Sequence, residues 1–442
     1  MIEQLHNIVQ QHSVVISASI LLIAYIFIAI EKIPKVTISL VGAAITILLG
    51  LVSQTKTLNG GFEPNYFINF VDFNVIFLLV SMMIIVSIAA RSGMFNWVAN
   101  KLLTLTKGHP VGILIVLGLF TAFASALLDN VTTVILVMPV TFFIAEKLDI
   151  NPIPYLITEI FASNIGGTAT LIGDPPNIII GSVAGLSFMD FVKELTPIVA
   201  VIMLVMLFVM WLIFRHELNT TPEKMQAVAN MDNSKTITDF PLMVRSAIVL
   251  GFVILGFVFH DVTHIETCVT AMLGASVLLL FEKPKDIFCE VEWNTIFFFI
   301  GLFIIIGGLE ASGGIALMAK WILNVTEGSE SATAMIILWA SGIISGVIDN
   351  IPYTATMTPM LLEIRNVMGA EYTMPLWWCL SLGACLGGNM TIIGAAANVI
   401  VSETSAHHGH KIGFMQFFKY GFVIMLISLT LSSVYIWLRF LK

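Results

Sequence analysis

The chain has 442 residues, of which 58% are hydrophobic and only 11% charged, with a formal net charge of −8. Soluble domains carry about a quarter charged residues, so this composition excludes them, and recurring apolar runs identify a polytopic helical protein of the lipid bilayer. The acidic balance, with no basic run, excludes nucleic acid as a partner, and the four cysteines have no paired spacing that would build a disulfide framework or a zinc site.

In chain order, the first apolar run is Ser13 to Ile30. Glu3 and His6 precede it, with no Lys or Arg, so it reads as an uncleaved first span rather than a signal peptide. Further spans are expected near 35–52 and 73–90, at 154–184 (broken) and at 195–214. The polar stretch Arg215 to Arg245 then separates two halves. Spans near 246–260, 266–281, 294–310, 375–402 (broken) and 421–440 follow, making about ten crossings of the ~20 residues a bilayer needs.

The broken spans stand out. Gly166-Gly-Thr-Ala-Thr-Leu-Ile-Gly-Asp-Pro-Pro-Asn177 and Gly387-Gly-Asn-Met-Thr-Ile-Ile-Gly-Ala-Ala-Ala-Asn398 align Gly167 with Gly388, Thr170 with Thr391, Gly173 with Gly394 and Asn177 with Asn398. Gly and Pro interrupt the helical ladder, and the freed backbone groups need protein or ion partners. Val71-Asp-Phe-Asn-Val-Ile-Phe77 also echoes Val291-Glu-Trp-Asn-Thr-Ile-Phe297, and Phe188-Met-Asp-Phe-Val-Lys193 echoes Phe414-Met-Gln-Phe-Phe-Lys419. The chain is therefore one duplicated unit: residues 1–214, a cytoplasmic linker at 215–245, and residues 246–442. The main length difference is a longer loop at Ser53 to Tyr66.

Two apolar pairs, 110–128 with 131–145 and 332–348 with 351–362, turn at Asp129-Asn130 and Asp349-Asn350. Their return arms are short for a crossing and contain Pro139 and Pro359, so they read as re-entrant hairpins with polar tips at the midplane. The alternative is two ordinary spans with Asp129 in an aqueous loop. With five crossings per half the repeats are inverted. Placing both termini outside puts 14 Lys and Arg inside and 6 outside, a positive-inside bias. The expected fold is an all-α polytopic membrane protein of inverted repeats, with about 10 spanning helices, two re-entrant hairpins and two broken helices.

A carboxylate at mid-membrane costs about 2.5–3.5 kcal/mol or more, so Asp129 and Asp349 are the leading functional candidates. Asn130, Thr132, Thr133, Asn350 and Thr354 follow them, and Thr168, Thr170, Asp174, Asn177, Asn389, Thr391 and Asn398 lie on the broken stretches. This oxygen-rich set suits a small cation or a proton, with Asp129 and Asp349 as candidate sodium ligands; capping of the broken helices is the competing role. Asp174 becomes Ala395 in the second half and Glu159 becomes Leu380, which leaves Glu159 as a proton-coupling candidate or a structural group. No Arg or Lys lies within a predicted span core, which favours a neutral or weakly charged solute, or a cation. Cys379 and Cys385 suit packing better than a thiophilic ligand, and His407, His408 and His410 fit a solvated loop. No HExxH, GxSxG or Walker pattern supports an enzyme, and no cofactor is expected beyond bound sodium.

The strings Ser-Ala-Leu-Leu-Asp-Asn-Val-Thr-Thr (125–133), Asn-Ile-Gly-Gly-Thr-Ala-Thr-Leu-Ile-Gly-Asp-Pro-Pro-Asn (164–177), Ile-Asp-Asn-Ile-Pro-Tyr-Thr-Ala-Thr-Met (348–357) and Gly-Ala-Cys-Leu-Gly-Gly-Asn (383–389) resemble the ArsB/P-protein branch of the ion transporter superfamily. That group includes citrate-type permeases and NhaD antiporters, and the resemblance covers nearly the whole chain. It implies an ion-coupled secondary transporter of the cell (inner) membrane moving arsenite- or antimonite-like solutes against a proton or sodium gradient. A sodium/proton antiporter and an organic anion (citrate-like) permease are the alternatives. A homodimer is expected, with spans 1–2 and 7–8 as its scaffold and small inorganic ions or anions as cargo. A passive channel is disfavoured by the duplicated breaks and the lack of a ring of pore charges.

Overall fold

The computed structural model describes residues 9, 11–30, 32–52, 55–56, 62–63, 66–229 and 237–442. Most of the expected loop at Ser53 to Tyr66, and the middle of the linker, therefore lie outside the described residues. A two-residue ladder pairs Thr55–Lys56 with Phe62–Glu63; the other elements among the described residues are helical.

Among the described residues, nine principal helices in each half correspond one to one. The first half contains α1 (Ser13–Ile30), α2 (Lys35–Leu48), α3 (Phe73–Arg91), α4 (Met94–Leu105), α5 (Pro110–Leu127), α6 (Asn130–Leu148), α7 (Ile153–Gly167), α8 (Pro175–Ala184) and α9 (Thr196–Phe214). The second contains α10 (Phe240–Val258), α11 (Thr267–Leu279), α12 (Trp293–Ala311), α13 (Gly314–Val325), α14 (Glu330–Ile348), α15 (Asn350–Met368), α16 (Ala370–Gly387), α17 (Ala396–His407) and α18 (Phe414–Phe440). Helix starts follow local chemistry. Asp72 accepts from the amides of Asn74 and Val75 to cap α3, and Asp239 caps α10 through Leu242. Leu22, Ile23 and Phe27 on α1, and Leu204 and Phe208 on α9, remain exposed as lipid-facing residues.

The return arms differ from expectation. Pro139 and Pro359 lie inside their helices, so α6 and α15 each run 19 residues, past the expected ends at 145 and 362. Pro139 faces outward and Pro359 is half-buried, so each ring sits at the helix surface without ending the helix. At ~1.5 Å per residue such an arm is long enough to cross, so arm length does not make these hairpins re-entrant. What does place the tips in the interior is their burial against each other, described below. The short amphipathic helices α4 and α13, which precede the hairpins, were also not anticipated.

The repeats interlock. α3 packs against α10 and α11 of the other half, and α12 packs against α1 and α2. The supporting frame is therefore α1, α2 and α12 with α10, α11 and α3, a wider set than spans 1–2 and 7–8. The hairpins and broken helices form the body between them. Its glycines permit backbone contact: a Cβ on Gly166 would lie 2.2 Å from the Ala122 carbonyl oxygen, and one on Gly387 would lie 2.4 Å from that of Gly342. Ion pairs join segments expected on the same membrane side. Arg91 at the end of α3 meets Glu290 at 2.5 Å, and Arg439 of α18 meets Glu194 at 3.1 Å. Both pairs agree with inverted repeats.

Candidate functional site

Each hairpin tip is pinned to the break of its own half by matching bonds. The Thr170 hydroxyl donates to the Ala126 carbonyl at 2.5 Å, and its twin Thr391 donates to Gly346 at 2.7 Å. Each threonine oxygen also accepts from the third glycine of its motif, Gly173 or Gly394. The Asn177 amide donates to the carbonyls of Thr168 (3.2 Å) and Thr170 (2.8 Å), while Asn398 donates to those of Gly388 (2.7 Å) and Thr391 (2.8 Å). These side chains therefore satisfy carbonyls that the broken helices leave open. Thr168 bonds back within its own helix, to Asn164.

The tips and breaks of the two halves meet in one buried polar chain. Asp129 caps α6, accepting from the Thr132 amide at 2.8 Å and the Thr132 hydroxyl at 2.5 Å. Asp349 caps α15 through the Ile351 amide at 3.1 Å. Asp174 lies between the tips: both its oxygens accept from the Asn350 amide at 3.1 Å, and one also accepts from Asn130 at 3.4 Å. Asn164 of α7 accepts from Asn130 at 3.3 Å and donates to Asn389 at 3.0 Å and Asn398 at 2.9 Å. Its twin is Cys385, whose thiol lies 3.6 Å from the side-chain oxygen of Asn177, to which the Ser381 hydroxyl also donates at 2.6 Å. Asn164 was not among the candidates. It lies inside α7, ahead of the break, where the helical pattern is uninterrupted.

A cavity of about 280 Å³ opens onto this chain. Asp129, Asn130, Asp174, Asp349 and Asn350 line it, together with two residues of the frame that the sequence reading passed over, Lys35 and Glu292. The Lys35 ammonium lies 2.6 Å from the Asp349 carboxylate. Lys35 does not lie within a span core: it is the first residue of α2, and its long stem carries the charge inward from the helix end. The remaining wall is largely apolar and includes Leu79, Met83 and Phe298.

Thr132, Thr133, Thr168, Thr170, Asn177, Thr354, Asn389, Thr391 and Asn398 are not part of the cavity wall. Among them, the hydroxyls of Thr133 and Thr354, one on each hairpin, and the amide nitrogen of Asn389 are buried without a hydrogen-bond partner. Glu159 stands apart, buried between α6 and α7 and bonded to Thr141, with its other carboxylate oxygen unpartnered. His408 stacks on Phe142 at the foot of the first hairpin, 4.2 Å between ring centres. No cluster of metal-ligating side chains occurs among the described residues, and Cys379 and Cys385 are both fully buried.

A family model described as citrate transporter matches residues 25–383. The chain is 40% identical over 430 residues to a 46 kDa membrane protein of Mycobacterium leprae, covering 97% of this chain and 99% of that protein. An uncharacterized transporter of Mycobacterium tuberculosis is 40% identical over 429 residues, with 96% and 98% covered. The P protein of Homo sapiens is 30% identical over 506 aligned positions, which span 96% of this chain and 59% of the P protein. Among solved structures, the YdaH transporter of Alcanivorax borkumensis shares the fold, with a TM-score of 0.57 at 12% identity and coverage of 97% and 98%.

Proposed function

The chain belongs to the citrate transporter family, a multi-pass membrane transporter and not an enzyme, and from that premise we propose that it is a secondary carrier that binds a monovalent metal cation at the paired hairpin tips and exchanges it for protons. One observation carries this reading: four carboxylates, Asp129, Asp174, Asp349 and Glu292, face a single lysine around one cavity. Such a wall attracts cations and repels a citrate-like polyanion, whose carboxylates would meet like charges in a low-dielectric site. Asp129 and Asp349 would hold sodium as cargo. Movement of the body of hairpins and broken helices against the frame would then alternate access.

A second reading keeps the metalloid. The cavity is larger than a bare cation needs and partly apolar. That space suits an uncharged hydroxylated solute such as arsenous or antimonous acid, carried with the ion. We further propose an inner-membrane homodimer joined through the frame, with both termini outside.

The experiment is reconstitution in liposomes that contain a pH dye. Proton movement on sodium addition, lost in Asp129→Asn, supports the exchanger. Arsenite uptake that follows the proton gradient without any sodium response would replace it with the metalloid reading. Absence of counterflow between labelled and unlabelled sodium would point to a channel.

A further inference from the structure

We propose that the Lys35 ammonium is a built-in competitor for the transported cation, holding the Asp349 carboxylate when the site is empty and leaving it when the cation enters. The inference rests on the cation-carrier reading and adds to it the side chain that expels the cargo.

The ion pair bridges two bodies. Lys35 belongs to α2 of the frame, and Asp349 is the tip of a hairpin in the body that would move. A contact of 2.6 Å cannot survive such a displacement, so the pair exists in one orientation of the carrier only. Tyr25 of α1 reaches the same hairpin, donating to the Pro352 carbonyl at 2.6 Å, and would also let go. The partners are unequally wetted: the Asp349 side chain is 2% exposed and that of Lys35 25%. The carboxylate therefore needs a cation or a proton at all times, whereas the ammonium has water to return to.

The internal repeat supplies the control. Helices α2 and α11 align through Gly42-Ala43 and Gly274-Ala275, which places Thr267 where the first half has Lys35. The two tips share the Asp-Asn pair but differ in backbone. Asp129, without a lysine, has φ −70 and ψ 156, the ordinary extended geometry of an N-cap. Asp349, held by Lys35, has φ 107, a region that a non-glycine residue rarely enters. The distortion and the lysine occur on the same tip.

A second polar cavity repeats the first on the opposite face of the frame. Asn74, Val75 and Leu78 of α3 line it, where the first cavity has Asn294, Thr295 and Phe298 of α12. Its ionisable lining is His260 and Glu266, with no lysine among its described wall residues. A site shifted to that face keeps Asp129, Asp174 and Asp349 but loses Lys35, so a metal ion or a proton has to supply the positive charge. On the Lys35 side the ammonium supplies it and the ion is free to leave. The asymmetry gives the carboxylate a resident cation on one side and none on the other.

The test is a sodium titration of the purified full chain at constant ionic strength, read as the rise in thermal-unfolding midpoint, for wild type, Lys35→Met and Lys35→Arg. Lys35→Met is expected to bind sodium at least about tenfold more tightly, the low end of what a close, largely buried ion pair contributes, and Lys35→Arg to stay near wild type. In liposomes, Lys35→Met should keep sodium–sodium exchange while net release falls. Lys35→Cys compared before and after aminoethylation, which restores an ammonium at that position, gives the same comparison within one folded protein. Equal or weaker sodium binding in Lys35→Met, or no sodium response in either protein, overturns the inference. A wild type that moves no cation in either direction defeats the carrier reading itself. A transporting wild type with an indistinguishable Lys35→Met defeats only the role of the lysine.

Discussion

Asn177→Ala separates a structural from a ligand role at the broken helix. In wild type the Asn177 amide satisfies the carbonyls of Thr168 and Thr170, and its oxygen accepts from the Ser381 hydroxyl at 2.6 Å. All of these groups are buried. Alanine leaves two carbonyls and one hydroxyl unpaired, at about 1–3 kcal/mol each. Taking the low end for every group gives a loss of ~3 kcal/mol, or roughly a hundredfold in the unfolding equilibrium. Neighbouring hydroxyls offer little relief, because Thr170 is already committed to Ala126. Denaturant titration in detergent measures the loss, and counterflow on the same preparation measures solute affinity. Asn398→Ala, whose amide caps Gly388 and Thr391, should behave alike. An Asn177→Ala protein within ~0.5 kcal/mol of wild type but with weakened solute affinity would make the asparagine a ligand and refute the capping argument.

Three further outcomes follow from the same geometry. Gly387→Ala puts a methyl 2.4 Å from a backbone oxygen of α14 and should cost about 1–3 kcal/mol or more, whereas Gly251→Ala in α10, with nothing within 4 Å, should gain ~0.5–1 kcal/mol; thermal melts of the pair decide it. Asp174→Asn keeps an oxygen for the Asn350 amide but removes the central charge, so the protein should fold while sodium affinity drops at least about tenfold, as read by sodium-dependent melting. Glu159→Gln should transport at the wild-type rate with an unchanged pH profile, because Glu159 lies outside the cavity between α6 and α7; a shifted profile in the liposome assay would restore it as a proton carrier.

The architecture was legible because lipid imposes it. Runs of about 20 apolar residues mark helices, and a twice-written Gly–Thr–Gly–Asn break has to be repaired by its own side chains. The same logic misjudged the return arms, since a proline on an outer helix surface leaves the inner face intact, and hydropathy does not distinguish these faces. Repetition was a guide to capping, and it picked out Thr170, Thr391, Asn177 and Asn398, all of which close backbone gaps. The cavity combines the repeated Asp-Asn tips with positions where the halves disagree. Asp174 is matched in the other half by Ala395, and Lys35 by Thr267. A perfectly symmetric carrier would offer its cargo the same site on both sides of the membrane. Lys35 was invisible in the sequence because its position at the head of α2 reads as an ordinary membrane-edge lysine. Only the interlocking of the repeats, which sets α2 of one half against α12 of the other, carries that ammonium to the tip of the opposite hairpin. Symmetry builds the pocket, and departures from symmetry give it a direction.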